Sequence, residues 1–192
     1  MAYPTVSAPY GLKPVNLIGG QVFAGATRQF PIASGYAANL FNGDVVKLVS
    51  AGTIEKDTGT ATATPVGVFV GCSYTSPALG YTLYSQYYPT GTVASDIVAY
   101  VVDDPDTLFK VAVTAAGSAT MATVARTAVG NNSVLIQTAG STTTGDSKVS
   151  ISSTTATTAT QPVRIIDVVP ETAPTSGNYS EVIVKWNWGM HQ

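Results

Sequence analysis

Short apolar runs alternate along this chain with clusters of Gly, Pro, Asn, Ser and Thr. Residues 45–49 (VVKLV) follow the turn signal Asn42-Gly43-Asp44, and residues 65–71 (PVGVFVG) form a second run opened by Pro and closed by Gly. Both runs are β-branched and too short for a buried helix, so they predict a pair of buried strands. The Thr/Ala/Gly stretch between them is too polar and loose to be expected in a core. Residues 96–103 (DIVAYVVD) and 108–114 (LFKVAVT) predict two further strands. In the second, Phe109, Val111 and Val113 alternate with Leu108, Lys110, Ala112 and Thr114, the period of a pleated strand. Between them, Asp104-Pro105-Asp106-Thr107 is a turn sequence, because Pro presets φ and Asp bonds neighbouring backbone. The two strands are therefore expected to form a hairpin. Residues 29–33, 134–137, 149–151, 162–169 and 180–188 supply more strands, with 152–161 read as a linker. In the last strand Val182, Val184, Trp186 and Trp188 share a face opposite Ile183 and Lys185. Residues 115–129 alone predict a helix, with Met121, Val124, Ala125 and Ala128 at helical spacing and Gly130 suited to end it.

Many short strands and one short helix predict an all-β (mainly β) fold, a small β-barrel or β-sandwich in which closure or stacking removes exposed edges. Residues 1–25 predict an extended N-terminal arm, and residues 26–192 a single β-rich domain. Pro4, Pro9, Pro14 and several glycines deny the arm a helix. Yet Tyr3, Tyr10, Leu12, Val15 and Phe23 make it more apolar than a disordered tail. It is expected to lie on another subunit, so that deleting it leaves a folded domain that no longer binds its partner.

Composition sharpens this picture. Hydrophobic residues are 45% of the 192-residue chain and charged residues 10%, against about 25% charged in typical soluble domains. Mean hydropathy is +0.22, but no apolar run approaches the ~18 residues of a membrane helix. The excess apolar surface is expected to be buried in a core and against partners, not in a membrane. With so few charges to hold copies apart, an assembly is expected. Net charge is −2, and the nine Lys and Arg are scattered, so nucleic acid is not an expected partner. The N-terminus lacks the charged-then-apolar pattern of a secretory signal. One Cys, Cys72, excludes an intramolecular disulfide framework. Residues 74–91 carry Tyr74, Tyr81, Tyr84, Tyr87 and Tyr88 among Pro and Gly. They read as a long loop or irregular hairpin, and tyrosine enrichment there predicts a contact surface.

Residues that perform chemistry are scarce. The single histidine, His191, is next to last, a poor place for the rigid base that nucleophilic catalysis needs. Cys72 ends an apolar strand with no adjacent base, the pattern of an inert buried thiol. Asp103, Asp104 and Asp106 form the densest acidic group, but lack the Gly and distal Glu of a calcium loop, so they read as a structural turn. No phosphate loop, paired-Cys zinc spacing or dinucleotide fingerprint occurs. The expectation is a protein that is not an enzyme, with no catalytic, cofactor or metal residues.

One resemblance runs through the chain in order. Residues 10–15 (YGLKPV), Gly25 and Phe30-Pro31-Ile32 are followed by Gly43-Asp44-Val45-Val46 with residues 65–71. Next come residues 103–109 (DDPDTLF) with Val111, then 129–132, 140–145 (GSTTTG), 163–166 and the closing His191-Gln192. Together these resemble the capsid decoration, or cement, proteins of tailed bacteriophages; residues 74–91 depart from that pattern. The resemblance implies a virion protein on the outer surface of the capsid that binds the major capsid protein, cements its neighbouring subunits and carries no catalytic residues. It also implies a homotrimer, since quasi-threefold positions of an icosahedral shell are common binding places in that family. The contact residues expected are Tyr3, Tyr10 and Leu12 of the arm and Tyr84, Tyr87 and Tyr88 of the tyrosine segment. The alternative is a carbohydrate- or receptor-binding β-sandwich of a phage tail or adhesin, in which Tyr and Trp stack on sugars beside Gln86.

Overall fold

The computed structural model describes residues 6–187, and strand pairing arranges them into a closed barrel, an open sheet and one small two-stranded sheet. The strands are β1 (Lys13–Leu17), β2 (Arg28–Pro31), β3 (Val45–Leu48), β4 (Ile54–Lys56), β5 (Gly67–Thr75), β6 (Thr82–Ser85) and β7 (Val98–Val102). There follow β8 (Thr107–Thr114), β9 (Val124–Ala125), β10 (Asn132–Ile136), β11 (Ser150–Ala156), β12 (Val163–Val168), β13 (Asn178–Tyr179) and β14 (Glu181–Trp186). Strands β8, β11, β10, β12 and β14 close on themselves through the β14–β8 pairing. All their pairings are antiparallel except β8–β11. The open sheet runs β2-β7-β5-β3-β4, with β6 added to the free half of β5. The fold is all-β, with a β-barrel at its centre.

Alternation explains how the two units join. On β8, Phe109, Val111 and Val113 are fully buried in the barrel core, and Val182, Val184 and Trp186 of β14 meet them there. In the open sheet successive residues go to opposite cores. Val45, Val68 and Val102 pack with the barrel residues, while Val46, Phe69 and Val101 pack with Ile32, Leu40, Ile54, Tyr88 and Ile97 on the far face. A strand buried on both sides reads as a continuous apolar run, as PVGVFVG does. Each such buried side chain contributes about 1.5–3 kcal/mol.

Several expectations are corrected. Residues 96–103 and 108–114 do not form a hairpin: β7 lies between β2 and β5, so neither of its edges is open to β8. The Asp104 turn instead carries the chain from sheet to barrel, with Thr107 N donating to Asp104 O. No helix forms over 115–129. Thr114 and Met121 bridge, Ala115 N donates to Thr120 O, and only the 3-10 turn Arg126–Ala128 is helical. Gly117, Ser118 and the β-branched Thr120, Thr123, Val124 and Thr127 weaken a helix there, and Val124 gains burial in the barrel core. The stretch between β3 and β5 is not loose throughout, since β4 adds Ile54 to one core and Ala63 joins the other. Strand β11 extends to Ala156, into the stretch read as a linker. In the segment read as an arm, β1 pairs with β8 and Leu12 is fully buried. Tyr3, Trp188 and His191 lie outside the described residues.

A crossing of two glycines locks these parts together. Gly11 and Gly43 both take positive φ, and a Cβ on Gly11 would stand 2.8 Å from the Gly43 carbonyl oxygen. Only glycine permits that approach. Leu12 N donates to Gly43 O, Gly43 N to Phe69 O and Gly11 N to Val149 O, all at 2.8–3.1 Å.

Candidate interaction surface

The hairpin of β5 and β6 carries the most prominent apolar surface among the described residues. Ser76 O accepts from Leu79 N and Gly80 N, and Ser76 N donates to Tyr81 O, so the turn is tight and Gly80 takes φ +72°. The turn and β6 present Leu79, Tyr81 and Tyr84 to solvent, with Tyr84 79% exposed. At the base, Asp96 accepts hydrogen bonds from Thr75 Oγ1 at 2.6 Å and Thr75 N at 3.0 Å. These bonds hold the Asp96 carboxyl below its usual range. The hairpin is therefore clasped to the segment leading into β7.

Strand β6 pairs only with β5 among the described residues, so its other edge offers unpaired backbone groups. Proteins usually protect such edges with charges, Pro or bulges. Here no Lys, Arg, Asp, Glu or His occurs between Asp57 and Asp96, a stretch that includes β5, β6 and the whole turn. An exposed, uncharged, aromatic edge makes this hairpin the candidate interaction surface.

The expected contact residues separate by burial. Tyr84 is on this surface. Tyr88 is fully buried, with its hydroxyl near Tyr36 O and Thr92 O; it is a core residue and is unavailable as a surface anchor. Tyr87 is half-buried and stacks on Phe41 at 5.7 Å between centroids. Leu12 is also core. Tyr10 is half-buried and donates its hydroxyl to Glu181 Oε1, while Lys110 Nζ pairs with that carboxylate at 3.4 Å and lies over the Tyr10 ring. The signal that placed these residues at an interface was composition, which does not distinguish a buried tyrosine from an exposed one. Leu79 and Tyr81 are exposed beside Tyr84 but were not among the individual contact residues expected, although the Gly80 turn between them was a sign that both would be pushed outward. A second exposed pair, Ile18 and Val22, caps the turn after β1.

Other candidate groups are absorbed by structure. Cys72 is buried, and desolvation pushes its thiol up to about 12. The acidic group splits into two ion pairs and a turn: Asp103 with Arg28 at 2.8 Å, Asp106 with Lys185 at 3.0 Å, and Asp104 Oδ1 accepting from Asp106 N. No group of three His, Cys, Asp or Glu able to hold a metal ion occurs among the described residues. Gln86, the polar side chain a sugar site on this hairpin would need, donates through Nε2 to Asp146 Oδ1 and Thr144 O. Comparison with known protein families, curated proteins and solved structures finds no match to this chain.

Proposed function

We propose that this protein is a structural virion protein that binds the outer surface of a phage head and cements neighbouring major capsid protein subunits. The observation that carries this reading is the uncharged, tyrosine-bearing edge of β6, which pairs only with β5 among the described residues. Such a surface has little reason to face water in a chain with so few charges. The sequence resemblance to capsid decoration proteins supports the same reading. A homotrimer accords with it, because closed rotational symmetry is the rule for such assemblies and a trimer matches a quasi-threefold position on a shell.

A cement protein accelerates no reaction. It stabilises the assembled lattice by binding that state and not the free subunit. A copy that bridges two subunits gains from the high effective concentration of its second contact. The aromatic anchors proposed are Tyr81 and Tyr84, with Leu79 beside them. Truncating an interface anchor of this kind typically costs ~2 kcal/mol or more. The test is a Tyr81→Ala/Tyr84→Ala double variant added to heads that lack the protein. Occupancy is expected to fall while the melting temperature of the free protein barely moves, because both side chains are exposed. Full occupancy by the variant removes this surface from the reading. Co-purification with tails instead of heads favours the receptor-binding alternative.

A further inference from the structure

Three side chains from distant parts of the chain converge beside the Gly11–Gly43 crossing. Lys13 Nζ on β1 lies 2.6 Å from Asn42 Oδ1 and 3.2 Å from Asp146 Oδ1. Asn42 Nδ2 donates to Val70 O at 2.9 Å, which turns the carboxamide oxygen towards the lysine. Val70 is skipped in the register of β5 with β7, as the extra residue of a β-bulge is. Asp146 is steadied by Gln86 Nε2 at 3.1 Å. The backbones that carry the three groups are also pinned together. Asn42 N donates to Gly145 O, Ser147 N to Asn42 O and Leu12 N to Gly43 O, and β1 is fixed along β8.

We propose that Lys13 and Asn42 join in an intramolecular isopeptide bond, with Asp146 as the group that moves the protons. The elements of the reaction are a primary amine, a carboxamide and a carboxylate held in contact. Asp146 takes a proton from the Lys13 ammonium. The freed lone pair attacks Asn42 Cγ, which lies one carbonyl bond, about 1.2 Å, beyond the oxygen that Nζ already touches. The Nζ–Cγ bond forms and the Cγ–Nδ2 bond breaks. Of the three ammonium hydrogens, one stays on the new amide and two pass through Asp146 to the departing NH2 group, which leaves as ammonium. Charge and atoms balance, and no electron acceptor is needed. Holding the amine against the amide replaces a bimolecular encounter with an intramolecular one, and a placed carboxylate supplies general acid–base assistance.

The neighbouring Gly43 introduces a competitor. In an Asn-Gly pair the glycine nitrogen can attack the same Cγ, giving a cyclic imide with the same loss of ammonia. Gly43 N–H is committed to Phe69 O at 2.8 Å, which holds that nitrogen away from the side chain. The isopeptide bond would tie β1 of the barrel sheet covalently to the turn that enters β3 of the open sheet. It would clamp the crossing that the two glycines make.

Mass spectrometry of the full chain tests this. Trypsin spares the Lys13-Pro14 bond, so Lys13 remains in the peptide ending at Arg28 and Asn42 falls in the peptide 29–47. The expected result is an intact mass short by one ammonia and a branched peptide joining those two segments, both unchanged by hydroxylamine. Lys13→Arg is expected to keep its full mass, and Asp146→Asn to form the link at least about 100-fold more slowly. The proposal is overturned if wild-type protein keeps its full mass after prolonged incubation. It is equally overturned if the lost ammonia traces to an imide that hydroxylamine cleaves between Asn42 and Gly43. The wild-type result decides by itself, whatever the folding of the variants.

Discussion

Asp44 ties together three separate segments of the chain. It is fully buried. It accepts from Phe41 N at 2.9 Å, Ser147 Oγ at 2.6 Å and the Lys56 ammonium at 2.9 Å, so it links the turn before β3, the strand β4 and the loop that leads to β11. Removing one member of a buried ion pair leaves the other charge uncompensated. Asp44→Ala is therefore expected to cost about 3–5 kcal/mol, measured by urea unfolding; a variant as stable as wild type contradicts this role. Alkali should reveal two further groups, the buried Cys72 and the half-buried Tyr10. Burial raises the Cys72 thiol, and burial with the Glu181 hydrogen bond raises the Tyr10 phenol. The folded state holds both protons more tightly than the unfolded chain does. The stability they contribute is intact below the ordinary values of 9.0 and 10.0 and is lost as pH rises through and beyond them. Urea midpoints are expected to decline above that threshold, less steeply in Tyr10→Phe, and Cys72 should resist thiol reagents until the protein unfolds. A midpoint that is flat through the alkaline range, or a thiol that reacts at once, refutes this.

At the scale of elements, strand periodicity was legible and partnership was not. The faces Phe109/Val111/Val113 and Val182/Val184/Trp186 could be read from alternation, and both line the barrel core. Alternation says which side a residue faces, but not which strand lies beside it, so the β7–β8 hairpin was misread. The helix expected at 115–129 failed because helical spacing of Ala and Val is a weak signal in a segment that carries Gly117 and several β-branched residues, and Val124 found burial in the barrel. Half of the tyrosine segment was legible in the same sense: it is an irregular hairpin, but its tyrosines divide between core and surface. The Lys13–Asn42–Asp146 cluster left no local trace, because its members meet only when barrel and sheet are assembled. The N-terminal segment gives the clearest test at this scale. With β1 paired to β8 and Leu12 buried, deleting residues 1–17 is expected to destabilise the fold. The loss of Leu12 side-chain packing alone is worth about 2–5 kcal/mol. Thermal unfolding of the truncated chain checks this, and an unchanged melting temperature would show that the strand is dispensable.

The whole molecule joins a closed barrel and a sheet packed on it to the exposed edge of β6. The barrel closes its own strands, the central strands β3, β5 and β7 of the open sheet send alternating residues into two cores, and the glycine crossing fastens barrel and sheet. Three of the large exposed apolar side chains among the described residues, Leu79, Tyr81 and Tyr84, lie on β6 and the turn before it. Rigidity matters to a cement, because an anchor on a stiff element loses little conformational freedom when it binds. A low charge content, costly for a free monomer, is tolerable under the proposal that this protein rests on a lattice. The central claim is that this protein holds a capsid together, and the most direct measurement is the thermal rupture of phage heads with and without it. Heads lacking the protein are expected to release their DNA at a lower temperature, and adding the purified protein back should restore the wild-type value. Heads that withstand heat and chelators equally well with and without it would contradict the claim.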